Sequence, residues 1–384
     1  MTYIHSLASS SPSTPLLDDR QAIERIFRHI DKGTTDMGET IWYEPVEHYY
    51  SQQRFDAEIA LLRRLPVPFC PSAALPDNGS FIARKAAGTP LLVVRGKTGL
   101  VRAFINACRH RGMQVASGSG CSPGFVCPYH AWSYDLDGKL RGIPGAEAFP
   151  KIDIDDKGLV EVSAMEKGGI VYVMQEGQIS PQTLDHSLDF FSSQQEMFEQ
   201  AELDDQANWK LLTETLLEGY HIKSLHRNTF YPYGLDNINL VETYGANSRV
   251  IFPFRRIEKL RDIKPDKRTL DGVMTSVYHL FPNASVSVLS KHTSLTIMEP
   301  LTPNSTKLVS YLMTNRHTEG EKISTQEAKR DAQFVNESGQ DEDRAAARAI
   351  QETVKTSANK HLTFGYFEKA IVNFHQHLTD NLNQ

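Results

Sequence analysis

Cysteine is scarce, with four residues in a chain of 384. That is too few for a disulfide framework, and Cys108, Cys121 and Cys127 fall close together. Clustered thiols of this kind point to metal binding in a reducing compartment. Long apolar runs are missing too. None approaches the ~20 residues that span a bilayer, so no membrane segment is expected. Basic excess is absent: 41 Lys and Arg stand against 47 Asp and Glu, a net charge of −6. A negative balance gives no electrostatic footing for nucleic acid. The opening MTYIHSLASSSPSTPLLDDR has no Arg before Arg20. It also lacks an apolar core, so it reads as a flexible arm rather than a leader, and a cytoplasmic enzyme is the expectation. Hydrophobic residues make up 40%, enough for sizeable cores in two domains or one large one.

What is there changes texture along the chain. LLDDRQAIERIFRHIDK, residues 16–32, has helical spacing after an acidic start. From about 67 to 175, runs such as PLLVVRG, LVRAFINA and GGIVYVMQ alternate with Gly, Pro and Asp turns. This is the texture of a small antiparallel β domain. YDLDGKLRGIP within it reads as a hairpin turning on Asp-Gly. Residues 176–207 become polar and helical, and DHSLDFFSSQQEMFEQAELDDQ is expected to connect into a second domain. Residues 208–228 look helical at first. SRVIFPF, SVYHLF, SVSVLS, SLTIMEPL and KLVSYLMT then supply strands, and DEDRAAARAIQETV and FEKAIVNFHQHL return to helix. Helices around a strand-rich middle make the second domain α+β.

The stretch CRHRGMQVASGSGCSPGFVCPYHAW carries chemistry. Cys108 and His110 form one pair, C-x-H; Cys127 and His130 form another, C-x-x-H. Zinc is the plainer possibility, yet structural zinc favours pairs of Cys and pairs of His. Two pairs that each mix thiolate with imidazole suit a centre whose metals differ in ligation. A Rieske [2Fe–2S] cluster gives one iron two Cys and the other two His. Replacing two thiolates by neutral imidazoles removes negative charge and lifts the potential to roughly −150 to +300 mV. Cys70 and Cys121 read as bystanders, since free Cys commonly acts as a small buried side chain.

These loops, with PLLVVRGKTGLVRAFINACRHRG ahead and CPYHAWSYDLDGKL behind, resemble those of the Rieske non-haem iron ring-hydroxylating oxygenases. The resemblance implies that Cys108 and Cys127 hold one iron and His110 and His130 the other. Arg111 and Tyr129 stand where respiratory Rieske proteins have an extra cysteine beside each ligand pair, which fits the low-potential oxygenase type. One departure is Ala131, in a place where the family has Gly. A Cβ disfavours positive φ, so an altered turn is expected there.

A second constellation lies in NWKLLTETLLEGYHIKSLHRNTFYP, residues 208–232. Glu218 and His221, at i and i+3, share a helical face. His221 and His226, five residues apart, would sit roughly 140° apart on a regular helix. If both bind one metal, the helix must end or distort before His226. Two imidazoles, one carboxylate and open positions make the facial triad of non-haem Fe(II) oxygenases. DEDRAAARAIQ resembles the family segment that supplies the carboxylate, which implies Asp343, with Asp341 and Glu342 close enough to be confused with it. Glu218 takes the family position of the acid that bridges one subunit's mononuclear iron to the next subunit's cluster. Asp is the common residue there; Glu occurs in branches that include those acting on quaternary ammonium compounds.

The resemblance covers about residues 45–378 and implies a fold and an activity. The fold is α+β: a Rieske antiparallel β domain followed by a catalytic helix-grip domain, an antiparallel sheet flanked by helices. The expected boundaries are 1–44 for the arm and first helix, 45–175 for the Rieske domain and 176–384 for the catalytic domain. The implied cofactors are the cluster and a mononuclear Fe(II). Electrons from NAD(P)H arrive through a reductase or ferredoxin, and the assembly is a homotrimer. The implied reaction is mono- or dihydroxylation of a small organic, aromatic substrate with O2. One alternative is hydroxylation or N-/O-demethylation of a quaternary ammonium or other non-aromatic substrate. Another is a Rieske electron-transfer protein without oxygenase activity. Phe230, Tyr231, Tyr233, Phe252 and Phe254 could line a ring pocket, form a cation cage or be core. Arg255 and Arg256 read as solvated surface, and His279, His292, His361, His375 and His377 as structural or surface.

Overall fold

A computed structural model describes residues 16–316, 323–356 and 358–384; the arm expected before the first helix lies largely outside them. Period-two alternation of apolar and polar residues builds two seven-stranded antiparallel sheets. The first runs in the order Val67–Pro71, Ile170–Met174, Glu161–Lys167, Val101–Ile105, Thr89–Arg95, Ser80–Ala86, Gly118–Cys121. Beside it lies a three-stranded sheet of Gly124–Val126, Ser133–Asp135 and Leu140–Gly142. Its hairpin turns on Asp137-Gly138 as expected. Gly138 has φ +77°, and a Cβ there would lie 2.5 Å from the Phe104 ring.

The second sheet orders Met197–Asp205, Ser305–Thr314, His292–Thr302, Ala284–Val288, Met274–Leu280, Asn247–Pro253, Leu240–Tyr244. One face, with Ala284, Val286, Leu295, Ile297, Val309, Tyr311 and Met313, shares a continuous core with Val67, Phe69, Ile170 and Val171 of the first sheet. The two domains are therefore joined by buried apolar surface. Helices cover other parts of the second sheet, among them Lys369–Leu382, whose Phe374 and Leu378 pack with Trp209 and Val250.

Three segments depart from the reading above. Met197–Asp205, expected within a helical connector, is the edge strand of the second sheet. Its polar composition suits an edge, where charge discourages further strand pairing; Glu202 and Asp204 pair there with Lys307 at 3.1 and 3.0 Å. Trp42–Pro45 pairs with His361–Phe364 near the other end of the chain. The helix Gln52–Arg64 turns Leu61 into the core of the second domain and Leu62 into the shared core. Residues expected to open the first domain thus pack substantially on the second. Among the described residues no helix is long and apolar enough to cross a membrane.

Candidate metal centres

Both Cys/His loops close in the same way. Cys108 donates its N–H to Met113 O and accepts from Gly112 N, each at 2.8 Å. Cys127 donates to Trp132 O at 2.8 Å and accepts from Ala131 N at 2.9 Å. The residue four after each Cys has positive φ: Gly112 at +81° and Ala131 at +58°. The turn at Ala131 is therefore intact, against expectation. Its Cβ is carried in a left-handed conformation that costs an L-residue about 1 kcal/mol. The two loops look unlike in sequence because the histidines are spaced differently, whereas the backbone pattern counts from each Cys.

Burial divides the four side chains. Cys108 and Cys127 are 3% and 2% exposed, and neither is in a disulfide. His130 is exposed and His110 half-buried. The imidazole centroids lie 4.6 Å apart, with His110 stacked on Trp132 at 4.8 Å. Tyr134 OH sits 3.2 Å from Cys108 Sγ and accepts the Arg109 N–H at 3.0 Å. Burial and the Cys108 sulfur push that phenol well above its ordinary range. Two thiols within and two imidazoles at the surface fit the donor set of a Rieske cluster.

The second site is assembled from distant segments. Asn208 caps the helix Trp209–Glu214, its side chain accepting Lys210 N at 3.0 Å. Lys210 Nζ, fully buried, pairs with Glu58 at 2.8 Å, and Trp209 Nε1 donates to the same carboxylate at 2.9 Å. Burial holds the Lys210 ammonium below its usual range, with Glu58 opposing the shift. This helix stops well before the histidines. A single helical turn, Ile222–Leu225, follows, with His221 and His226 flanking it. The turn ends at His226, and the two imidazole centroids lie 5.0 Å apart.

Asp343 comes from the first turn of Asp341–Thr353. That helix continues Thr325–Val335 through a wider turn at Asn336–Gln340. Gly339 lies in the wider turn, and a Cβ there would collide with Phe230, the ring that packs on His226. One donor atom from each of His221, His226 and Asp343 lies within 4.8 Å of the others. Asp343 Oδ1 is 2.9 Å from His226 Nε2 and 3.4 Å from His221 Nε2. It is buried without an aligned hydrogen bond, as suits a carboxylate oxygen aimed at a shared cation. The neighbouring acids are separated cleanly. Asp341 is exposed and pairs with Arg344, while Glu342 stands behind His226.

Each imidazole has its other nitrogen committed to a carboxylate. His221 Nδ1 bonds Glu218 Oε1, and His226 Nδ1 bonds Glu342 Oε2 at 2.7 Å. Thr229 Oγ1 also donates to Glu342, at 2.7 Å. With Nδ1–H engaged in this way, both Nε2 atoms are left for a metal. Glu218 Oε2 turns back onto the N–H groups of Tyr220 and His221. Burial opposes protonation of His221, yet Asp343 and Glu218 push it up to about 10. Burial would also raise the Asp343 carboxyl, but the two imidazoles hold it below its ordinary value. The field at this point favours positive charge, and the donor set fits non-haem iron. Glu342 escaped the sequence reading except as a rival to Asp343; the only signal was its place in an acidic run.

A cavity of about 280 Å³ opens beside Asp343, Thr215 and Leu216. The five aromatic residues considered above are not among its lining. Phe230 packs on His226, Phe252 joins the core, and Tyr233 is 57% exposed. Arg256 bonds Gly272 O and Ser290 Oγ instead. His292, expected to be structural or superficial, is 2% exposed and lines the cavity.

Each of the two sites lies in a segment that matches a known domain. Residues 66–179 match the Rieske [2Fe–2S] domain, and residues 194–384 match the ring-hydroxylating α-subunit catalytic domain. The oxygenase subunit of glycine betaine monooxygenase from Chromohalobacter salexigens is 33% identical over 40% of this chain and 36% of its own length. Its match thus spans little more than a third of that relative. Chloroplastic choline monooxygenase from Spinacia oleracea is 26% identical over 81% of this chain and 71% of its own. The fold is shared with the quaternary ammonium Rieske monooxygenase CntA solved with L-carnitine: TM-score 0.75 at 21% identity, covering 89% of this chain and 96% of that one. Two successive domain models account for the chain from residue 66 onward save a short connector, and the chain belongs to the Rieske non-haem iron oxygenases, the ring-hydroxylating α-subunit family.

Proposed function

We propose that the protein is the oxygenase component of a Rieske system, working as a homotrimer supplied from NAD(P)H by a reductase or ferredoxin. Its reaction is O2-dependent hydroxylation or demethylation of a small polar molecule, with quaternary ammonium compounds the favoured class. One observation carries the reading: His221, His226 and Asp343 converge in a largely buried site, with Asp343 lining a cavity, in addition to the Cys/His loops. An electron-transfer protein has no use for that second site. The glycine betaine and choline monooxygenases among the relatives support the substrate class. So does a carboxylate on the cavity wall that is not a metal ligand, Glu199, since negative charge favours a cation. Arg344, also on the wall, is engaged by Asp341 and Asp205.

In this reading Cys108, Cys127, His110 and His130 hold the cluster, and His221, His226 and Asp343 hold the iron. When bound, these groups supply one-electron transfer and O2 activation. The chain's own residues supply placement. Glu218 and Glu342 accept the Nδ1–H of His221 and His226, fix their tautomers and keep the rings turned toward Asp343. Glu218 also takes the bridging role toward the neighbouring subunit's cluster histidine. Its Oε2 already accepts two local N–H groups, but Oε1, which takes only the His221 Nδ1–H, has a further lone pair to offer. Leu212, Leu216, Leu308 and Leu312 keep the cavity partly apolar, which limits water near the reacting bond.

The test is metal and acid-labile sulfide analysis with an optical spectrum, followed by substrate-dependent NADH and O2 consumption with a matched reductase and product mass. The expected protein is red-brown, contains iron in excess of sulfide, and consumes O2 with an ammonium substrate. Iron equal to sulfide, with no substrate-dependent O2 use, would favour the electron-transfer alternative.

A further inference from the structure

The cavity floor is one face of the second sheet. Antiparallel register sets Ser287, Ser294, Leu312 and Glu199 in one row across four strands. Ser285, Thr296, Ser310 and Ala201 form the next row, and Met298, Leu308 and Leu203 continue it. All of these line the cavity, while the alternate residues of the same strands form the core shared with the first domain. The floor therefore carries a block of five hydroxyls flanked by aliphatic side chains. Packing does not ask for this, because hydroxyls that face a cavity become costly once a ligand seals them from water without partners. Ser285 and Ser294 are 2% and 4% exposed. Among the described residues only Thr296 and Ser310 bond each other, at 3.3 Å.

His292 begins the same strand on the same face, two residues before Ser294. Its Nδ1 meets Asp331 Oδ2 at 2.8 Å, and Asp331 is steadied by Lys291 N at 2.9 Å. Asp331 thus fixes the ring and its tautomer. Nε2 makes no hydrogen bond to any described residue, and His292 lines the cavity.

We propose that His292, held by Asp331, and the hydroxyl floor bind an oxygen-bearing end of the substrate and so turn a C–H bond toward Asp343. The proposal rests on the oxygenase reading of the same site. Imidazole Nε2 accepts from a hydroxyl or, protonated, donates to a carboxylate, and serine and threonine hydroxyls do both. The shared chemistry is a hydroxyl or carboxylate. A hydrocarbon ring would leave the floor's donors and acceptors unpaired and be rejected for that reason. His292 is a positioning and specificity residue in this scheme.

The experiment is calorimetric titration of the isolated oxygenase without reductant, so that no turnover intervenes. The probes are L-carnitine, glycine betaine, choline and tetramethylammonium, which differ in carrying both groups, a carboxylate, a hydroxyl or neither. At least one oxygen-bearing probe is expected to bind about 10-fold or more tightly than tetramethylammonium. Comparing glycine betaine with choline tells carboxylate from hydroxyl. His292→Ala, Asp331→Asn and Thr296→Val are each expected to erase roughly that preference, with iron and sulfide contents unchanged and Thr296→Ser retaining it. In turnover, the same variants should raise KM and release more peroxide per product before kcat falls. Equal binding of all four probes, absence of binding by every oxygen-bearing probe, or a preference untouched by His292→Ala and Thr296→Val would overturn the proposal. The predicted binding pattern without substrate-dependent O2 use would instead sink the oxygenase reading and leave the pocket assignment standing.

Discussion

The two candidate centres are built on opposite plans. The Cys/His loops lie near each other in sequence, on paired turns with one hydrogen-bond pattern, and their histidines reach the surface. The His/His/Asp site draws its third member from a helix that starts more than a hundred residues further on, and it lies beneath the surface beside a cavity. Local turns suffice where the two imidazoles face outward. An enclosed site must be held from behind, by carboxylates on each imidazole and by a buried ion pair under the helix that leads to it. The first plan leaves a motif in the sequence; the second leaves scattered residues whose relation is tertiary.

Substitutions can break this contrast, the largest effect first. Asp343→Ala should empty the enclosed site alone: iron falls to equal sulfide, the cluster spectrum stays, and product formation drops at least about 10³-fold. Loss of the cluster spectrum as well would mean that the centres are not independent. Lys210→Met removes the cation under the ligand-bearing segment and leaves Glu58 buried with less compensation. Denaturant unfolding should show a loss of about 3 kcal/mol, and a loss below ~0.5 kcal/mol would show that Arg54, 2.8 Å from Glu58, carries the load alone. Glu342→Gln should weaken iron affinity at the enclosed site by roughly 10- to 100-fold, read by chelator competition, with the cluster untouched.

The domain junction offers a pH test. Glu299 is fully buried, with Oε1 unpartnered and Arg84 of the first domain 3.8 Å from Oε2. Burial pushes its carboxyl from 4.5 up to about 7, with Arg84 opposing. A raised folded-state value means that its stabilising protonation is complete below about 4.5 and is lost as pH rises through about 7. Glu299→Gln should therefore match the parent in Tm near pH 4.5 and exceed it at pH 8. Parallel Tm curves for the two proteins across that range would refute the assignment. Smallest of all, Ala131→Gly should relieve the left-handed residue of the second loop. A gain of about 0.5 kcal/mol is expected, because glycine's freedom in the unfolded chain offsets part of the relief. An unchanged or lowered stability would mean that the loop tolerates the Cβ without strain.

Sequence by itself determined the parts whose physics is local. Mixed Cys/His pairs on short loops specify their donor set wherever the chain goes. Asp-Gly fixes a hairpin, Asp18 and Asn208 cap helices, and alternation marks the central strands. Helix arithmetic also required the helix to end before His226 if both histidines serve one metal, and the turn Ile222–Leu225 does end there. Tertiary structure decided what depends on partners far along the chain. Met197–Asp205 reads as a polar helix until Ser305–Thr314 offers it an edge to pair with. Asp341, Glu342 and Asp343 are alike as letters; the helix phase set by the wide turn at Asn336–Gln340 sends one to solvent, one behind His226 and one between the imidazoles. His292 reads as structural or surface in the sequence, because nothing local shows that Asp331 holds it or that its strand turns hydroxyls toward a cavity. Side-chain direction on a strand is fixed by period two, but which face meets the core and which meets the substrate is settled only by what packs against the sheet.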